Sequence, residues 1–180
     1  MSFQDAVLTG LAPDGGLLLP EQIPNVAAQL DSWRGLSFVE LAQQIVALFV
    51  DDIPRSKLDQ LIIDAYASFD ISETVAFAEL GQVQVLELFH GPTLAFKDVA
   101  LQLLGKLFEH ILRERGQHLN IVGATSGDTG SAAIAGVRGQ SNIDIFIMFP
   151  TGRVSPLQEL QMTSIADENV HCLSAVSYTH

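Results

Sequence analysis

Leu119-Asn120-Ile121-Val122-Gly123-Ala124-Thr125-Ser126-Gly127-Asp128-Thr129-Gly130-Ser131-Ala132-Ala133 reads as a strand, a tight loop and the start of a helix in immediate succession. Residues 119–124 form a short apolar strand, and 129–138 a helix built from small residues. The next apolar run, Ile143–Phe149, is nearly continuous and β-rich, the pattern of a strand buried on both faces. Upstream, residues 83–89 alternate as a strand. Residues 96–114 then make a long helix with Val99, Leu103, Leu107 and Ile111 on one face. Downstream, 156–165 return to helix and 170–176 to strand. Strands alternating with helices predict right-handed βαβ crossovers and a parallel sheet, so the fold class is α/β.

Outward from this region the pattern changes. Ala12-Pro13-Asp14-Gly15-Gly16 is a dense turn signal inside a structured loop over residues 9–24. Ser37 with Glu40 three residues later predicts a capping box that opens a helix running to about residue 50. Pro54 breaks that pattern, and Leu58, Leu61, Ile62, Ala65 and Tyr66 mark a second helical stripe over 56–69. The expected organisation is therefore an N-terminal helical segment, residues 1–75, followed by an α/β domain, residues 76–180.

Composition narrows the function classes. With 180 residues, 48% hydrophobic and 17% charged, the chain can bury a sizeable core. Its net charge is −12, from nine basic and 21 acidic residues, and no basic stripe for nucleic acid is visible. An acidic surface also repels anionic membranes, and no apolar stretch approaches spanning length. Cys172 is the single cysteine, which fits a reducing compartment and reads as a small core residue. The N-terminus lacks the basic-then-apolar pattern of a secretory signal, so a cytoplasmic location is expected. His110, His118, His171 and His180 show no metal spacing, and no metal is expected. Asp51 and Asp52 are adjacent, so their side chains diverge, and they read as a solvated helix end.

Three loops carry chemistry-bearing residues. In Glu87-Leu88-Phe89-His90-Gly91-Pro92-Thr93-Leu94-Ala95-Phe96-Lys97-Asp98, Lys97 is one of three lysines in the chain and stands where a strand pattern becomes a helix pattern. Apolar neighbours and the positive end of the following helix both disfavour the ammonium form, and a neutral amine is what imine formation requires. That points to pyridoxal phosphate (PLP) chemistry; the alternative is a helix-start lysine whose stem packs on Phe96 while its amine reaches water. In the second loop, Gly123–Ala133, free helix-start amides and the Thr125, Ser126 and Thr129 hydroxyls can hold a carboxylate or phosphate. The alternative there is a tight crossover with Asp128 capping the helix. In the third, Pro150-Thr151-Gly152-Arg153-Val154-Ser155-Pro156, Arg153 either faces an anion beyond the strand end or makes a surface salt bridge. His90 reads as a turn histidine or as a group that orients a neighbour. Each loop follows a predicted strand, so a parallel sheet would bring all three to one edge.

These residues resemble the threonine synthase family. His90–Asp98 is similar to that family's PLP-lysine segment, and Ala124–Ala133 to its Ser-Gly-Asp-Thr-Gly loop. Gly152-Arg153-Val154-Ser155-Pro156 with Gln158, Glu159, Leu160, Gln161 and Met162 is similar to its next signature, and Gly10–Leu17 to its N-terminal motif. The four segments occur in the family's order across about residues 8–173. The resemblance implies part of a fold-type II PLP enzyme, the tryptophan synthase β-like architecture. It implies conversion of O-phospho-L-homoserine and water to L-threonine and phosphate. Lys97 would bind PLP as a Schiff base and move protons at Cα and Cβ, and Asp128 would lie near the cofactor's 3′-oxygen. Ser126, Gly127, Thr129 and Arg153 would serve the substrate's carboxylate or phosphate.

The resemblance also implies departures. Family members are more than twice this length, and their PLP-phosphate loop and the group facing the pyridine nitrogen belong to the C-terminal half. The likeness fades after Leu173, through Ser174-Ala175-Val176-Ser177-Tyr178-Thr179-His180. A truncated chain with an altered end is the expectation, with an unpaired sheet edge through which it self-associates. Two alternatives stand beside the synthase: a threonine-synthase-like phospholyase or dehydratase, and an inactive chain that acts only as a binding or signalling polypeptide.

Overall fold

The computed structural model describes residues 1–176. The chain divides into two compact units, Met1–Asp64 and Ala65 onward.

The first unit is helical. Its elements are α1 (Phe3–Thr9), α2 (Leu30–Trp33), α3 (Phe38–Val46) and most of α4 (Arg55–Tyr66). The capping box is present as expected: Ser37 Oγ accepts from the Glu40 amide, and the Glu40 carboxylate accepts from the Ser37 amide at 2.8 Å. Helix α3 ends at Val46, short of residue 50. Helices α1 and α2 are not among the expected elements, because both are too short to show a periodic stripe. Asp52 is not a solvated helix end: its carboxylate accepts from the Gln4 amide at 2.9 Å, and its carbonyl from Gln4 Nε2 at 2.7 Å. The pair anchors α1 to the segment before α4. Val50, Ile53, Leu58, Leu61 and Ile62 are buried in this unit.

The second unit opens with a hairpin. Strands β1 (Ala76–Leu80) and β2 (Val83–Glu87) pair antiparallel, with Leu80 opposite Val83 across a turn that places Gly81 at φ 66°. Then come α5 (Asp98–Arg115), β3 (Leu119–Ala124), α6 (Asp128–Val137), β4 (Ile143–Pro150), α7 (Pro156–Thr163) and β5 (Val170–Ala175). Strands β3, β4 and β5 form a parallel sheet in that order. The α/β class and the parallel βαβ units are as expected.

Sequential strand order has a consequence. Right-handed crossovers between neighbouring strands put both connecting helices on the same side of the sheet. Ile143, Ile145, Ile147 and Phe149 of β4 are accordingly buried, while Asp144 and Phe146 are half-buried. Met148 is 36% exposed, Val122 on β3 67% and Leu173 on β5 50%. Among the described residues β4 is thus covered on one face, where its continuous hydrophobicity predicts two. The second correction concerns β2, which belongs to the antiparallel hairpin and not to the parallel sheet. The run after Glu87 therefore does not leave a parallel strand.

Helices α5 and α6 cross through two glycines. A Cβ on Gly105 would overlap the Gly136 carbonyl oxygen, and one on Gly136 would lie 2.6 Å from the Leu101 carbonyl oxygen. Gln140 Nε2 bridges the crossing, donating to Gly105 O at 3.3 Å and Gly136 O at 3.0 Å. On α5, Leu107 and Ile111 are buried as their spacing predicts. The same helix also buries Asp98, Gln102 and Gly105, which no hydrophobic stripe reveals.

This packing is open to two tests. Gly105→Ala forces backbone apart and lowers the unfolding free energy by about 1–3 kcal/mol, measured by urea denaturation. Tyr66 donates to Val99 O at 3.0 Å, and burial pushes its phenol up from 10.0 to about 12. The folded state holds this proton more tightly than the unfolded state. Its contribution is complete below the unfolded value near 10 and is lost as pH rises towards 12. Alkaline titration followed by phenolate absorbance and circular dichroism should show Tyr66 ionising late, with loss of stability in that window; a Tyr66→Phe variant should lack the dependence.

Candidate active site

One buried acid shapes the loop from His90 to Lys97. Asp98, the first residue of α5, has no exposed surface. Its carboxylate accepts from the Thr93 amide (2.9 Å), the Thr93 hydroxyl (2.9 Å), the Ala95 amide (3.4 Å) and Gln102 Nε2 (3.2 Å). The first turn of a helix adds a favourable field for an anion. A buried carboxylate needs compensation of this kind. Gly91 is seated against it, because a Cβ there would overlap Asp98 Cβ. Leu94 takes φ 60°, a left-handed conformation that costs a non-glycine residue about 1–2 kcal/mol. Its amide closes the turn on Gly91 O at 3.1 Å. His90 Nε2 lies 3.0 Å from Glu87 Oε2, and its carbonyl accepts from the Asp70 amide at 2.9 Å. The histidine thus ties the loop back to β2.

Lys97 emerges from this frame. Its Nζ lies 4.0 Å from Asp128 Oδ2 and 4.5 Å from the centroid of the Phe96 ring. The expected apolar enclosure is absent among the described residues: Leu94 is 60% and Phe96 61% exposed. A carboxylate and a ring face both attract a cation, so the amine's surroundings are electrostatic.

The second loop turns at Gly127, whose φ of 144° belongs to glycine. The helix cap is not the one expected. Thr125 Oγ1 accepts from the Gly127 amide at 3.1 Å and the Gly130 amide at 3.0 Å. Asp128 instead lies inside the first turn of α6, with its carboxylate directed to Lys97 and to Gln158 Nε2. The amides of Asp128 and Thr129 remain uncapped donors among the described residues. Ser126 and Thr129 are beside them, and both are exposed. Gly130 packs too tightly for a side chain: a Cβ would come 2.5 Å from Thr125 Cγ2 and 2.9 Å from Met162 Sδ.

The third loop contributes differently from expectation. Arg153 is exposed and makes no ion pair among the described residues. The contacts come instead from α7, capped by Ser155. Gln158 reaches Asp128, and Gln161 Nε2 donates to Thr93 O at 3.1 Å. Both glutamines stand in the stretch that resembles a family signature, yet nothing local assigns them a contact, since their partners are 30 and 68 residues away. The structure therefore brings together Lys97, Asp128 and Gln158. Behind the first loop, a cavity of about 260 Å³ is lined by Pro92, Thr93, Gln102, Ser131, Ile134 and Gln161. A larger hollow of about 820 Å³ in the first unit carries no residue of the three loops.

Other candidates resolve simply. No group of three or more His, Cys, Asp or Glu among the described residues could hold a metal ion. Cys172 is half-buried rather than core, and burial pushes its thiol up. No described helix is long and apolar enough to cross a membrane. Ser177–His180 lie outside the described residues.

Asp98→Ala removes the acceptor that organises the first loop. It is expected to cost about 3 kcal/mol, roughly one or two hydrogen bonds to a charged group. Limited trypsin digestion followed by mass spectrometry should then show rapid cleavage after Lys97, which the native loop resists.

Comparison with known proteins finds threonine synthases. Residues 1–66 match the family described as threonine synthase N terminus. The chain is 49% identical to threonine synthase of Schizosaccharomyces pombe, covering 96% of this chain and 36% of that protein. It is 48% identical to threonine synthase of Pseudomonas aeruginosa, covering 95% and 37%. The crystal structure of PLP-bound threonine synthase from Brucella melitensis superimposes with a TM-score of 0.92 at 48% identity, covering 97% of this chain and 38% of that one. The yeast enzyme gives 0.94 at 45%, covering 98% and 38%. The chain thus spans a little over a third of the length of the relatives it matches. Fold, loops and sequence together are those of the N-terminal portion of threonine synthases, to which the chain is similar along nearly its whole length.

Proposed function

We propose that this chain supplies the lysine side of a PLP-dependent threonine synthase site, converting O-phospho-L-homoserine and water to L-threonine and phosphate. The observation that carries the reading is the Lys97–Asp128 pair, 4.0 Å apart, joining the two loops that resemble the family's signatures. The donor set fits PLP: a primary amine for the aldehyde, a carboxylate beside it, and uncapped helix-start amides with neighbouring hydroxyls for an anion.

When bound, PLP supplies an electron sink for carbanion chemistry next to the amino group. The remaining roles belong to side chains. Lys97 Nζ anchors the cofactor and, once released, carries protons at the substrate's Cα and Cβ. Asp128 orients that amine. Ser126, Thr129 and the backbone at Gly127 hold the substrate carboxylate or phosphate, and Arg153 offers a cation to the phosphate. Asp98 keeps the lysine's loop in place and touches no reacting atom. The uncovered sheet face at Val122, Met148 and Leu173 supports self-association or a covering partner, which a clean monomer in sedimentation velocity would contradict. A cytoplasmic location fits the single free thiol of Cys172.

The decisive experiment adds PLP to the purified chain, reduces with borohydride and maps pyridoxyl groups by peptide mass spectrometry. Stoichiometric labelling of Lys97, abolished in Lys97→Ala, is the expected result. Labels scattered over Lys57, Lys97 and Lys106 would overturn the reading. Relatives named threonine synthase-like 2, from Xenopus laevis and rat, are 41% and 42% identical, so the turnover assay should track threonine against 2-oxobutanoate.

A further inference from the structure

The side-chain amide of Gln158 is engaged at both ends. Its Oε1 accepts from Ser155 Oγ at 3.0 Å, and its Nε2 donates to Asp128 Oδ1. Ser155 is the N-cap of α7, so this amide is referenced to a helix start. The other oxygen of Asp128 is the one facing Lys97 Nζ. Gly127 makes room for the arrangement: a Cβ there would meet Gln158 Cδ at 2.6 Å. One helical turn on, Gln161 holds the carbonyl of Thr93, within the loop that presents Lys97. Residues three apart share a helix face, so one face of α7 braces both loops.

We propose that Gln158 is a positioning residue that aims the Asp128 carboxylate at Lys97. Only an amide suits this place. Reversed, it would set Oε1 against a carboxylate, and a glutamate would do the same with a full charge. Asparagine is one methylene too short, and methionine fills the volume over Gly127 but donates nothing. The inference rests on the reading that Lys97 is the reactive amine of the site.

The test is competitive acylation of the 180-residue chain with limiting acetic anhydride at one near-neutral pH, without PLP. Peptide mass spectrometry gives the ratio of labelling at Lys97 to that at Lys106. A carboxylate aimed at the amine engages it and opposes its attack on the anhydride. Asp128→Asn should raise the ratio about two- to fivefold, the range of a partly exposed ion pair. Gln158→Met and Gln158→Asn should raise it to the same level, and the Gln158→Met, Asp128→Asn double variant should go no higher. A wild-type ratio in Gln158→Met, a flat response to Asp128→Asn, or a double variant well above Asp128→Asn would each overturn the proposal. The PLP reading is scored separately by borohydride trapping. Missing pyridoxyl at Lys97 with the expected ratios removes that reading alone, and labelled Lys97 with flat ratios removes the role of Gln158 alone.

Discussion

A carboxylate shut away from water sets the terms for the second unit. Asp98 can be buried at the start of α5 only because Thr93, Ala95 and Gln102 turn their donors to it. Those donors in turn dictate the path of the loop. Thr93 and Ala95 must face inward, Gly91 must lack a side chain, and Leu94 must accept a left-handed backbone. Lys97 is the residue left pointing out of this knot, half-buried and within reach of α6. The acid thus decides where the amine begins.

The close crossing of α5 and α6 completes the placement. Contact through Gly105 and Gly136 brings the helices nearer than side chains would allow, and the start of each carries half of the Lys97–Asp128 pair. Helix α7 then touches both loops through Gln158 and Gln161. The cost of this compactness is borne by the sheet. Three parallel strands in sequential order receive their helices on one side, which leaves Val122, Met148 and Leu173 uncovered among the described residues.

Much of this architecture is legible in the residues alone. The strands at 119–124 and 143–149 are readable because a short apolar run between turn residues has few alternatives, and Ser37 with Glu40 because a capping box is local. Lys97 and Asp128 are legible through motif and resemblance. The hairpin is not: β1 is a short strand whose Glu79 and Leu80 are exposed, so its alternation carries little signal. Without β1 as its visible partner, β2 passes for a strand of the parallel sheet. The cap of α6 is ambiguous for a related reason, since Thr125 and Asp128 are both good capping residues and only the turn at Gly127 selects between them.

The sequence by itself determined the longer elements and the α/β class and singled out Lys97 as the candidate amine, because these depend on local periodicity, turn chemistry and residue type. Tertiary structure alone decided that Asp98 is buried, that one sheet face is open among the described residues, and that Gln158 meets Asp128. Each of those outcomes depends on which distant residues arrive at the same point. Hydrogen-bond satisfaction and close packing choose among such arrivals, and neither leaves a mark at fixed spacing along the chain.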